Sequence, residues 1–82
     1  MLNKVILICR LTRAPEIKQS NSGTAICEFR GAITRDYKNS NGEYESDFVN
    51  FVCFGKAADF VSNWFEKGML AIVVGRLQCA QW

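Results

Sequence analysis

Residues 47–54 read DFVNFVCF, and the alternation in this stretch limits the fold more than any other feature of the chain. On a strand, successive side chains point to opposite faces. Phe48, Asn50, Val52 and Phe54 then share one face, and Val49, Phe51 and Cys53 share the other. One set can fill a core. The other sets two large rings beside a polar Asn50, on a surface that core packing, a subunit contact or a ligand must use.

The rest of the chain supplies partners for such a strand. Residues 3–11, NKVILICRL, form a β-branched apolar run suited to a strand. Residues 14–24 collect Pro15, Ser20, Asn21, Ser22 and Gly23 and read as a turn. From Thr24 to Tyr37 the chain alternates again. Cys27, Phe29 and Ile33 fall on one parity, Glu28, Arg30 and Thr34 on the other, and Gly31 is a candidate bulge or bend. Asn41-Gly42 is a hairpin cue, set in a loop longer than two residues.

After Gly55 the period changes. Ala57, Phe60, Val61, Trp64 and Phe65 recur at three- and four-residue steps. That spacing predicts an amphipathic helix of about three turns, stopped near Lys67 and Gly68. It also assigns Phe60, Trp64 and Phe65 to the core with Phe29 and Phe51. Residues 69–82 resume strand character, with Gly75 as a bend. The expected order is β-β-β-α-β: all-β with one helix. It matches most of an OB-fold, the five-stranded Greek-key β-barrel, with the fifth strand missing from this chain.

Eighty-two residues make a single domain, spanning 1–82. The net charge of +2 is modest, but residues 1–38 carry +4 and residues 39–82 carry −2. The basic half permits an anionic partner. The chain has no histidine, and Cys9, Cys27, Cys53 and Cys79 stand 18, 26 and 26 residues apart. Close ligand pairs of the zinc type are missing, so no metal or cofactor is expected, and the thiols read as small buried hydrophobes. With no nucleophile elbow or phosphate-cradling loop, an enzyme is not expected either. Glu43, Glu45 and Asp47 share a parity and read as solvated charges. The apolar run Val5–Cys9 is too short for a signal sequence or a membrane span, so a cytoplasmic chain without membrane contact is expected.

Several motifs occur together: NKVILICRLTRAPE at 3–16, SGTA at 22–25, YKNSNGEYE at 37–45, FGKAA at 54–58, and KGML with VVGRL between 67 and 77. In this order they resemble the DNA-binding domain of the bacterial single-stranded DNA-binding proteins. The resemblance covers nearly the whole chain. It implies an OB-fold that assembles with itself as a dimer or homotetramer. It also implies sequence-independent binding of single-stranded DNA, beside the nucleoid, in replication, recombination and repair. The bases would stack on Tyr37, Phe48, Phe54 and Trp82. Arg10, Arg35, Lys56 and Arg76, on or next to the stacking strands, would meet phosphates.

The chain departs from that family in specific places. Cys9 stands where a glycine is usual, and Gln78, Cys79, Ala80 and Gln81 are neutral where the family is basic. No fifth strand and no acidic tail is read after Trp82, so tail-mediated repair partners are not expected. Open strand edges then favour self-association. An OB-fold protein-interaction module of the replication-restart kind, with weak nucleic-acid binding, is the alternative reading.

Overall fold

The computed structural model describes residues 1–78. Its elements are β1 (Val5–Leu11), β2 (Glu16–Gln19), β3 (Ala25–Lys38), β4 (Tyr44–Phe54), α1 (Lys56–Trp64) and β5 (Leu70–Gly75). All pairings are antiparallel. One edge of β3 pairs with β4 along nearly its whole length. The other edge is shared, by β2 at residues 25–28 and by β1 at residues 31–32. β1 passes the sheet on to β5 through six residue pairs, from Val5↔Gly75 to Arg10↔Leu70. This open five-stranded antiparallel sheet, with its one helix against β2, β3 and β4, is the OB-fold.

The sequence predicts four strands; β2 is the addition. All four of its residues are exposed, so no apolar alternation marks it. It exists because the turn at 20–24 folds it back onto β3. Ser20 N–H donates to the Thr24 carbonyl at 2.9 Å, and Gly23, at φ +85°, closes the turn with an N–H bond to the Ser20 carbonyl.

The core lies on the inner parity. Cys9 and Leu11 from β1, Cys27 and Phe29 from β3, Ala58 and Val61 from α1, and Ala71 from β5 are buried together. Phe29 stacks on Phe51 with centroids 4.8 Å apart and meets Phe65 edge-on at 5.6 Å. Burial raises the thiols of Cys9 and Cys27 above their ordinary range and pushes Cys53 up to about 11. These three cysteines are free and protonated, as small hydrophobes should be; Cys79 lies outside the described residues.

Gly31 forms no bulge. The β3–β4 register runs unbroken from Ile26↔Phe54 to Thr34↔Ser46, and the irregularity falls later, between Thr34 and Lys38. Gly31 instead allows β1 and β3 to approach. A Cβ there would lie 2.5 Å from the Cys9 Sγ and 2.7 Å from the Cys9 Cβ.

The helix differs from expectation in two ways. It ends at Trp64, with the Phe65 N–H bonded to the Val61 carbonyl, while Gly68 turns the chain into β5 and donates to the Leu11 carbonyl at 2.8 Å. Its buried stripe is Ala58 and Val61, continued by half-buried Phe65. Phe60 and Trp64 are therefore surface residues, not core; Trp64 is 66% exposed. The helix docks through Ala58 and Val61, while equally small Ala57 on the neighbouring face stays exposed.

Between β4 and β5 no ladder forms among the described residues. An open cleft of about 700 Å³ occupies this seam, bordered by Leu7, Phe51, Cys53, Phe65 and Val73. No helix among the described residues is long and apolar enough to cross a membrane.

Candidate nucleic-acid interface

Residues directly opposite each other on an antiparallel pair share a face. The β3–β4 register therefore fixes what surrounds the two rings. Phe54 lies opposite Ile26, Val52 opposite Glu28, Asn50 opposite Arg30, and Phe48 opposite Ala32. β1 extends the last row, since Arg10 pairs with Ala32, and β2 extends the first, since Lys18 pairs with Ile26. On this face Phe48, midway along β4, and Phe54, at its end, bracket Asn50 and Val52, with Arg30 and Glu28 opposite them.

Phe48 and Phe54 are 57% and 59% exposed. Val49, Phe51 and Cys53, on the other parity, are half-buried, with Phe51 and Cys53 packed against the core. The alternation read from the sequence thus holds, and these rings are not part of the interior. They stand six positions apart, roughly 20 Å along a strand, so they cannot hold the same planar group. The Arg30 guanidinium lies over Phe48, 4.8 Å from the ring centroid.

The predicted cations divide. Arg10 reaches this face beside Ala32, and its Nη1 donates to the Gly68 carbonyl at 2.7 Å, which anchors it near Phe48. Lys56 opens α1 two residues after Phe54 and is exposed. Arg76 follows β5 and borders the seam cleft together with Phe54. Arg35 belongs elsewhere. Its Nε and Nη2 donate to the two Asp47 carboxylate oxygens at 3.1 and 2.8 Å, and its Nη1 donates to Glu45 at 3.0 Å.

That grip places Arg35 with Asp47, on the parity opposite Phe48, and occupies its fork with carboxylates. The Arg35 hydrogen bond holds the Asp47 carboxyl below the usual carboxylate range, and Asp47 raises the guanidinium in turn. Of the three carboxylates expected to be merely solvated, Glu45 and Asp47 are thus Arg35's partners. Tyr37 is exposed within the irregular stretch of β3, beside Arg35 and Asp47. Trp82 lies outside the described residues.

Two participants were not singled out by sequence. Arg30 belongs to the ring face, and Tyr44 lies under Lys38, whose Nζ is 5.7 Å from the ring centroid. Pairing register was the signal available for both. Asn39 closes the 39–43 loop, its N–H bonding to the Glu43 carbonyl while its Oδ1 accepts from Asn41 and Glu43. Counting back from that loop finds Lys38 opposite Tyr44, but the irregularity after Thr34 hides the rest.

Comparison with known proteins agrees with this geometry. The model of the "single-strand binding protein family" matches residues 2–82. The chain is 47% identical over 78 residues to "Single-stranded DNA-binding protein 1" of Staphylococcus aureus strain COL, covering 95% of this chain and 47% of that protein. It is 46% identical over 78 residues to the "Single-stranded DNA-binding protein" of Halalkalibacterium halodurans, covering 95% and 46%. The "Single-stranded DNA-binding protein" of S. aureus strain MRSA252 is 46% identical over the same length, covering 95% and 50%. The chain spans about half the length of these curated relatives. With a match across nearly all its residues, it belongs to the single-strand binding protein family.

Proposed function

We propose that residues 1–82 form one binding domain that holds single-stranded DNA by stacking bases on Phe48 and Phe54, without catalysis. The observation that carries this reading is the pair of exposed rings on one sheet face, with cations at its border. Stacking tolerates any base because every base has a π-face, and it contributes roughly 1–3 kcal/mol per base. Arg10, Lys56 and Arg76 take phosphates. Arg35 is excluded from that role by its carboxylates. Tyr37 and Trp82 extend the stacking track only by their resemblance to the family. Such binding suits protection of unpaired DNA during replication, recombination and repair, in the cytoplasm beside the chromosome.

The domain works as a homo-oligomer. Ile6 and Ile8 of β1 and Leu70, Ile72 and Val74 of β5 are exposed and adjacent in register, forming a continuous aliphatic surface. A surface of that kind is covered when a second copy docks on it.

Anisotropy titration of labelled oligo-dT and of duplex DNA, at about 50 and 200 mM salt, tests the binding. Tight oligo-dT binding that weakens with salt, weaker duplex binding and intact recovered DNA are expected. Absence of oligo-dT binding at low salt, or equal affinity for duplex, overturns the reading.

A further inference from the structure

We infer that Cys27 and Cys53 form a thiol pair that peroxide oxidises reversibly to a cross-strand disulfide, fastening β3 to β4 beside the Phe54 row. The pair stands on the sheet's own pairing, whatever the domain binds. Cys27 and Cys53 lie directly opposite each other in the β3–β4 register, 26 residues apart in the chain. The Gly55 N–H bonds to the Ala25 carbonyl at 2.9 Å, so every second pair from there, Cys27 with Cys53 included, belongs to the hydrogen-bonded set. Such partners hold their Cα atoms about 5.5 Å apart, inside the range a disulfide spans.

The sulfurs already meet. The Cys53 thiol donates to the Cys27 carbonyl at 3.6 Å, and the two thiols hydrogen-bond one another. Their surroundings differ. Cys27 is sealed in the core at 0% exposure, while Cys53 is half-buried and borders the seam cleft. A small oxidant in the cleft reaches Cys53 first, with Cys27 behind it as the resolving thiol. Cys9 has no such neighbour: it pairs with Ala71 and packs over Gly31.

The Cys53 thiolate attacks hydrogen peroxide and breaks the O–O bond. One oxygen stays as the sulfenic acid, and the other takes up the thiol's proton and leaves as water. The Cys27 thiol then attacks the Cys53 sulfur, forming the S–S bond, and its proton departs with the sulfenic oxygen as a second water. Two thiols are oxidised and one peroxide is reduced. Burial raises both thiols, so thiolate is scarce at neutral pH and the first step is slow. Hydrogen-bonded partners also hold their Cβ atoms wider than a relaxed disulfide requires, so the bond strains the ladder and yields to free thiols.

Treating the protein with hydrogen peroxide, then denaturing, alkylating and mapping tryptic peptides without reductant, tests this. Peptides 19–30 and 39–56, which carry Cys27 and Cys53, should appear linked within one chain, lighter by two hydrogens than their sum. The Cys9 peptide should be alkylated, and excess glutathione should restore both linked thiols. Cys27→Ala should stop at a sulfenic acid on Cys53, trapped by dimedone; if that variant does not fold, the wild-type map decides alone. A link through Cys9 or Cys79, a link between chains, or both thiols still alkylated overturns the inference. So does Cys53 driven to sulfinic acid with Cys27 free, or a linkage that glutathione leaves intact.

Discussion

Two apolar fields lie on the outer face of this sheet, and they differ in everything except exposure. The β1–β5 field is aliphatic: Ile6, Ile8, Leu70, Ile72 and Val74, with no ring and no donor among them. In the β3–β4 field Phe48 and Phe54 bracket Arg30, Asn50, Glu28 and Val52, with Lys18 extending the Phe54 row. Aliphatic side chains gain from burial against a shape-matched, dry partner. Rings next to cations gain from flat, anionic polymers. Exposure marks both fields as interfaces; the chemistry of the neighbours assigns each its partner.

That assignment fails if one field can stand in for the other. The largest effect is expected from Ile8→Asp combined with Ile72→Asp, which puts carboxylates at the centre of the aliphatic field. Self-association should weaken by about 2 kcal/mol or more, the scale of a disrupted interface centre, seen as a shift to the single-chain species in sedimentation velocity. An unchanged sedimentation profile would remove this field from the assembly.

A smaller effect separates the fields from the other direction. Phe48→Ala and Phe54→Ala should each weaken oligo-dT binding by ~1–3 kcal/mol, with the sedimentation profile of wild type. Affinity retained in both variants, or assembly lost with it, would collapse the distinction.

The smallest effect lies outside both fields. Asp47 is held by Arg35 on the opposite parity, and its carboxyl titrates below the usual range because of that bond. A depressed carboxyl stabilises the fold above its unfolded value, and that contribution disappears as pH falls through the folded value. Asp47→Asn should therefore lower thermal stability slightly at neutral pH and leave it unchanged in strong acid. Both ion-pair partners are solvent-exposed, so high salt should shrink the difference further. Oligo-dT affinity should stay as in wild type, because the pair faces away from the rings. A variant that loses DNA binding would return Arg35 and Asp47 to the interface.

Much of this was legible in the chain. The alternation of 47–54 separated the outward rings from Phe51 and Cys53, and the structure keeps them apart. Period change after Gly55 found the helix. The helix face was harder, because the apolar stripe is wide and only the edge holding Ala58 and Val61 docks, leaving Phe60 and Trp64 outside. β2 left no trace because none of its residues is buried. Arg35 looked like any cation near the aromatic strands. Its capture by Glu45 and Asp47 depends on pairing across the hairpin, which local spacing does not reveal. Arg30's place over Phe48 likewise follows from register alone.

The crossing of β1 and β3 has a consequence for how such chains can vary. Room there is a single allotment divided between positions 9 and 31, twenty-two residues apart. Cys9 takes it here, and Gly31 yields it. A family member with glycine at the first position has space for a side chain at the second, so the two sites trade volume and neither drifts alone.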